Sequence, residues 1–100
     1  MPATASQTVT VLVPRTLMAE IDGQRIIEVP VAAGATLADL LDALATDHPV
    51  FDRRLRDETR ALRRYVNVYV DGDDVRQLGG VAASVKPGQE VQIIQSVAGG

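Results

Sequence analysis

Residues 65–72 read Tyr65-Val66-Asn67-Val68-Tyr69-Val70-Asp71-Gly72 and give the clearest secondary-structure signal in the chain. Valines alternate with larger, polar-tipped residues, which is typical of a β-strand with one buried face. The pattern predicts that the three valines face a core, while Tyr65, Asn67 and Tyr69 lie on the opposite face. The Asp-Gly pair that follows is a strong signal for a tight turn. The stretch therefore predicts a strand followed by a turn back along the sheet.

Downstream of this strand, the pattern predicts three short elements and a tail. A short return strand is expected at 73–77, broken by Gly79-Gly80, and a brief helical turn is expected at 81–85. Lys86-Pro87-Gly88 indicates another turn, and 90–94 alternates as a last strand. Residues 96–100 contain no pattern that favours a folded element.

Upstream, two stretches at 8–13 and 25–31 are predicted to form a hairpin, because both alternate and are rich in β-branched residues. Pro14 ends the first strand or lies at its edge, and Asp22-Gly23 marks a turn, so the connecting loop is longer than the tightest type. The expected core-facing positions are Val9, Val11, Val13, Ile27, Val29 and Val31.

The segment after the hairpin carries the signature of an amphipathic helix. Thr36 is a suitable N-cap, and Asp39 places an acid in the first turn. The apolar positions that fall on one helical face are Leu37, Leu40, Leu41 and Leu44. The helix is expected to stop before Pro49, with a short helical turn at 51–55 and then a charged loop to residue 64.

The element order predicts an α+β domain with a mixed sheet and one main helix packed across it. That order matches the β-grasp, or ubiquitin-like, fold. We expect a flexible N-terminus at 1–7, the β-grasp domain at 8–95, and a flexible C-terminal Gly-Gly tail at 96–100.

Composition excludes several functional classes. The chain has 100 residues, a formal net charge of −3, one histidine and no cysteine. We therefore expect no catalytic residue and no metal site in the chain itself, because it offers no thiolate and no cluster of ligands. Nucleic-acid binding is not expected at this charge, and no apolar run is long enough to span a membrane. With no sign of a signal peptide, we expect a cytoplasmic protein.

Six arginines crowd into 53–64, with Asp57 and Glu58 among them and Asp52 directly before them. A solvated mixed-charge face is the favoured interpretation, and a docking patch for an acidic partner is the alternative.

The C-terminal residues Ala98-Gly99-Gly100 have no side chain larger than a methyl group. A tail of this kind can thread a narrow cleft and present its carboxylate on the far side. The five residues from Ser96 span roughly 17 Å when extended.

Several motifs together make the chain resemble the ubiquitin-like sulfur carriers related to ThiS and MoaD, most of all the actinobacterial CysO-type carriers. These motifs are the run 65–76, the Gly79-Gly80 turn, Ala35-Thr36-Leu37, Lys86-Pro87-Gly88, and the terminal Val97-Ala98-Gly99-Gly100. The resemblance covers nearly the whole chain after Gln7.

The resemblance implies a protein co-substrate rather than an enzyme. An E1-like partner would use ATP and Mg to adenylate the Gly100 carboxylate, with Val97, Ala98 and Gly99 threading its cleft. A sulfur donor would then convert the adenylate to a thiocarboxylate. We expect Tyr65, Asn67 and Tyr69 to contact the partner, because exposed tyrosines on a strand often anchor interfaces.

Which enzyme accepts the sulfur stays open. In the cysteine-forming branch, the acceptor is a cysteine synthase-like pyridoxal-phosphate enzyme, and a metalloprotease releases the product from the carrier. A thiosugar synthase-like enzyme is the next alternative, ahead of thiamine and molybdopterin pathways. A ubiquitin-like modifier conjugated through Gly100, or a passive binding domain, remains as a different class of function.

Overall fold

The computed structural model describes residues 7–96. The predicted flexible segments therefore lie largely outside the described residues, and the domain boundaries stay predictions. The strands and helices are β1 Thr8–Leu12, β2 Ile26–Pro30, α1 Leu37–Asp47, α2 Pro49–Leu55, β3 Val66–Val70, β4 Asp73–Asp74 and β5 Glu90–Gln95.

The strands form one five-stranded sheet in the order β2-β1-β5-β3-β4. The central pair, β1 and β5, runs parallel, and the other pairs are antiparallel. The inward positions of the strands, including Val9, Val11, Val66, Val68 and Val91, are buried in one core cluster with the leucines of α1. The mixed sheet with a main helix packed across it confirms the predicted β-grasp architecture.

The helix α1 begins as predicted. The Thr36 hydroxyl accepts a hydrogen bond from the backbone N–H of Asp39 at 3.2 Å, and the Asp39 carboxylate accepts one from the Thr36 N–H at 2.9 Å. This reciprocal pair satisfies two amides that would otherwise lack partners at the helix start. All four predicted leucines are buried.

The helical turn predicted at 51–55 is a longer helix, α2. Pro49 occupies its first turn, where a missing N–H has no cost because that position needs no intrahelical partner. Phe51 and Leu55 are completely buried against the core.

Two connections differ from the sequence prediction. The loop between β1 and β2 contains a 3₁₀ segment, Arg15–Ile21, which buries Leu17 and Ile21. The return strand β4 is two residues long and not five, because the Asp74 carboxylate accepts a hydrogen bond from the Arg76 N–H at 2.9 Å and starts a 3₁₀ turn. The chain thus leaves the sheet early, and the first half of β3 has no strand on that side.

The prediction of a solvated mixed-charge face is wrong at two of its residues, Asp52 and Arg56, which are both buried. Arg56 is buried, and its guanidinium donates hydrogen bonds to Asp52 and Asp42, each at 2.8 Å. Burial by itself lowers the pKa of the guanidinium, but the bonds to these carboxylates outweigh burial and leave that pKa raised.

Candidate functional site

The end of β5 is where the C-terminal tail leaves the body of the protein. We call Gln95-Ser96 the tail root. The backbone N–H of Ser96 donates to the carbonyl oxygen of Tyr65 at 2.8 Å, so the root continues the pairing of β5 with β3. The predicted threading residues Val97, Ala98 and Gly99 and the predicted reactive residue Gly100 lie outside the described residues. Their roles stay predictions.

The sheet face opposite the helices, here called the outer face, contains the three predicted partner-contacting residues. Asn67 lies directly across from Ile94, and Tyr69 lies across from Gln92. The side chain of Tyr65 is exposed, while those of Asn67 and Tyr69 are half-buried. Strand alternation therefore placed these residues on one face correctly, although their contact with a partner stays a prediction.

Sequence reasoning missed the apolar residues of the outer face. Ile26 is 61% exposed and Ile94 is 40% exposed. Leu12 lies between β2 and β5, opposite Ile26 on one side and Gln92 on the other. The sequence does contain a signal for this apolar surface. Each of these residues lies at an outward-facing position of its strand, where a polar residue is usual.

A groove of about 490 Å³ lies between the end of β1 and the second half of β5. Its walls include Leu12, Pro14, Ile26, Ile94 and Gln95. The groove forms because β1 ends at Leu12, while β5 continues for three residues past its last partner there. An apolar depression thus lies beside the tail root.

Side-chain hydrogen bonds hold the tail root from both flanks. On the side of β1, the Thr16 hydroxyl donates to the side-chain oxygen of Gln95 at 2.8 Å. On the side of β3, the Asn67 amide donates to the Ser96 hydroxyl at 3.4 Å, and Arg76 donates to the Asn67 oxygen at 2.9 Å. The start of the tail is therefore tied to two different parts of the fold.

A positive surface adjoins the outer face near Tyr65. A second depression, of about 450 Å³, is lined by Val50, Arg53, Arg54, Arg63 and Tyr65. The Arg63 guanidinium donates to the carbonyl oxygen of Arg53 at 2.8 Å, which fixes one of these cations against α2.

The loop after α2 is held by its own hydrogen bonds. The pKa of Asp57 lies below its usual range because its carboxylate accepts two hydrogen bonds from Thr59. The bond from the Thr59 hydroxyl has the larger effect, and the bond from the Thr59 backbone N–H adds to it. This arrangement closes a turn rather than building a reactive group, because both bonds join residues only two positions apart.

Within residues 7–96, no group of three or more histidine, cysteine, aspartate or glutamate side chains could hold a metal ion. No helix in the described part of the chain is long and apolar enough to cross a membrane. The chemical features of this region are thus an apolar and aromatic face, an adjoining positive surface, and a fixed tail root.

Comparisons of the sequence with known proteins identify a family and several relatives. The ThiS family model matches residues 11–100. The sulfur carrier protein CysO of Mycobacterium tuberculosis is 36% identical over 94 residues, covering 92% of this chain and 98% of the relative. The small archaeal modifier protein 1 of Haloferax volcanii is 34% identical over 83 residues, covering 83% of this chain and 91% of the relative.

A solved structure matches in three dimensions as well. A chain of the Amycolatopsis orientalis BexX/CysO complex superposes with a TM-score of 0.81 at 38% identity. The match covers 92% of this chain and 99% of that one.

Proposed function

Because the chain belongs to the ThiS family, we propose that it is a sulfur carrier whose Gly100 carboxylate is adenylated by an E1-like enzyme and then converted to a thiocarboxylate. The observation that carries the proposal is the family match, which runs through the Gly-Gly tail to residue 100. The homologous CysO proteins are sulfur carriers, and the similarity covers nearly their whole length.

The chemistry follows from the weakness of a carboxylate as an electrophile. In the proposed cycle, the Gly100 carboxylate oxygen attacks the α-phosphorus of ATP, and pyrophosphate leaves. A sulfide-level donor then attacks the acyl carbon, and AMP leaves. The partner supplies ATP and Mg, and this chain supplies the carboxylate. In this cycle the chain is a co-substrate, because its own carboxylate is the group that is activated and converted.

We propose that the E1-like enzyme docks on the outer face around Tyr65, Asn67 and Tyr69. The exposed Ile94 and the groove beside it extend this surface to the tail root. Large aromatic and apolar side chains at such a position are typical interface anchors. Docking here would bring the start of the tail to the partner's cleft.

For the sulfur acceptor, we propose a cysteine synthase-like enzyme of cysteine biosynthesis, followed by a metalloprotease that releases the product. The similarity to CysO proteins supports this branch. A thiosugar synthase-like acceptor is the alternative, and the Amycolatopsis orientalis relative was crystallised in complex with another protein, BexX. We place the cycle in the cytoplasm, where its ATP is available.

Conjugation to lysines on other proteins is the second candidate function. The supporting observation is the 34% identity to the small archaeal modifier protein 1 of Haloferax volcanii. The same adenylated tail serves both outcomes, and only the attacking nucleophile differs.

Alkylation tests the proposal directly. The chain has no cysteine, so a thiol-selective alkylating agent has no target before activation. After incubation with the E1-like enzyme, ATP and a sulfur donor, brief alkylation near neutral pH should add one label at Gly100. Protein treated without ATP is the control and should stay unlabelled. No label with a demonstrably active partner and donor would reject the carrier function and direct the search to isopeptide bonds from Gly100.

The docking surface is tested by kinetics. Tyr69→Ala should raise the KM for this chain in adenylation by about tenfold, which is the effect of losing roughly 1.4 kcal/mol of binding energy, with kcat little changed. Leu78→Ala is the control, because Leu78 is 46% exposed but lies outside the five strands. Equal KM values for wild-type, Tyr69→Ala and Tyr65→Ala proteins that remain folded would place the docking surface elsewhere.

A further inference from the structure

We propose that Asn67 and Arg76 are positioning residues that fix the direction in which the tail leaves the body, an inference that rests on the sulfur-carrier function proposed above. Asn67 acts on Ser96 directly, and Arg76 acts through Asn67. The role is additional to the partner contact proposed for Asn67, because it depends on hydrogen bonds within the chain itself.

The hydrogen-bond chemistry fixes the orientation of the Asn67 amide. A guanidinium can only donate, so the amide must turn its oxygen toward Arg76, and the Nη1···Oδ1 distance is 2.9 Å. The NH₂ group is then the one that faces the Ser96 hydroxyl, at 3.4 Å. Arg76 thus selects the amide rotamer that can hold the tail root.

Arg76 is itself fixed to the sheet. Its Nη2 donates to the carbonyl oxygens of Val66 at 2.7 Å and Arg63 at 3.2 Å. The Val66 carbonyl is available because β4 pairs only with Tyr69 and Val70, which leaves the first half of β3 without a strand on that side. The Arg63 carbonyl lies before β3 and also accepts from the Val66 N–H at 3.0 Å. The side chain of Arg76 bonds the backbone of β3 where β4 is absent, and it links the Asn67 side chain to this edge of the sheet.

The tail root is held at a small number of points. Ser96 bonds to the Tyr65 carbonyl through its backbone and to Asn67 through its hydroxyl, while Gln95 is bonded by Thr16 on the opposite flank. Ser96 is otherwise exposed. Among the hydrogen bonds of residues 7–96, loss of the Asn67 bond leaves Ser96 with the one to the Tyr65 carbonyl, at the rim of the sheet.

The direction of the root matters because the reactive carbon lies at the far end of the tail. Four residues beyond Ser96 span about 13 Å when extended, so a change of angle at the root becomes a displacement of several ångströms at Gly100. A misplacement of about 1 Å can cost a reaction about a hundredfold in rate. A loosened root should therefore reduce kcat while the outer face still binds the partner.

The first test needs no partner. Amide nitrogen relaxation of the isolated protein should give Ser96 a wild-type order parameter near the rigid value of about 0.85, falling toward about 0.6 in Asn67→Leu and Arg76→Leu. Ser96→Ala removes the bond at an exposed residue and should have the same effect at its own amide without threatening the fold. Gln92→Ala is the matched control, because Gln92 lies on the same face but across from Tyr69 instead of Asn67, and it should leave Ser96 unchanged.

Conservative variants separate this role from a merely structural one. Ser96→Thr keeps the hydroxyl and should retain the ordered amide. Asn67→Asp should do so too, because the Ser96 hydroxyl can donate to a carboxylate that still accepts from Arg76. Unchanged Ser96 order in both Asn67→Leu and Ser96→Ala would overturn the positioning role.

The second test uses the activating enzyme. Arg76→Leu and Ser96→Ala should lower kcat for adenylation about tenfold or more with KM within about twofold of wild type, which is the reverse of Tyr69→Ala. Asn67→Leu should lower kcat as well, but its KM also reports on the docking surface where Asn67 lies. A rise in KM at constant kcat in both Arg76→Leu and Ser96→Ala would overturn the positioning role. No activation of wild-type protein would instead overturn the sulfur-carrier function, whatever the order of Ser96.

Discussion

At the scale of single residues, Arg56 shows how a charge can be buried in a small core. Its side chain is 1% exposed, with Asp52 one helical turn before it and Asp42 on the neighbouring helix. Arg60 also reaches Asp42, so the cluster continues to the surface. The guanidinium joins α1, α2 and the loop after them, where an apolar residue could not satisfy both carboxylates.

Breaking this cluster on one side should be costly. Arg56→Leu leaves the nearly buried Asp52 without its cation, and we expect the free energy of unfolding to fall by about 3 kcal/mol. The bond to Asp42 adds little to this figure, because Asp42 is 49% exposed and its charge is screened by solvent. Urea denaturation followed by circular dichroism measures the change.

The matched control removes both charges. Arg56→Leu combined with Asp52→Leu should recover most of the lost stability, because apolar replacement of a whole buried pair is often neutral. If the single and double variants are equally unstable, the loss comes from packing and not from the unpaired carboxylate.

Part of this cluster could be predicted from the sequence and part could not. Asp52 and Arg56 are four residues apart, a spacing at which opposite charges meet on a helix. The ion pair between them could therefore be predicted from the sequence. Asp42 lies on another helix, and its meeting with Arg56 depends on how α1 packs against α2. A charge-rich segment therefore indicates a surface in general, while tertiary contacts decide which of its charged residues are buried.

At the scale of elements, the strands and α1 could be predicted because one physical rule governs each of them. Alternation at period two identifies the strands, and a cap followed by an apolar stripe identifies α1. The segment Arg15–Ile21 escaped prediction because a 3₁₀ turn this short has no reliable periodicity. β4 was predicted too long because the Asp74 side chain, not the backbone pattern, ends it.

The cap of α1 gives a prediction at this scale. Thr36→Ala removes the hydroxyl that accepts from the Asp39 N–H and should destabilise the protein by about 1 kcal/mol. Thr36→Ser keeps the hydroxyl and should cost much less. Thr46→Ala, at an exposed threonine later in the same helix, controls for loss of a threonine as such. Equal stability of Thr36→Ala and wild type would show that the capping box contributes nothing to the fold.

At the scale of the whole molecule, the two faces of the sheet differ in composition and exposure. One face carries the helices and an aliphatic core, and the other exposes Tyr65, Ile26 and Ile94. The alternation within β3 predicted the tyrosine positions, but not that β2 and β5 would add isoleucines to the same surface. The bonds among Asn67, Arg76 and Ser96 could not be predicted either, because they require the register of β3 against β5.

The division between body and tail leads to the last prediction. Deleting Gly99 and Gly100 should change the free energy of unfolding by less than about 0.5 kcal/mol, because two residues without side chains that pack offer no apolar area to the core. The same deletion should abolish adenylation, because the carboxylate no longer reaches the partner's ATP.

Replacing both glycines with alanine is the matched control, since it keeps the length and the carboxylate and adds one methyl group at each position. Thermal unfolding and pyrophosphate release measure the two effects. A deletion variant that melts several degrees lower would show that the tail contributes to the fold, and a deletion variant that still releases pyrophosphate would show that the reactive carboxylate does not depend on the Gly-Gly end.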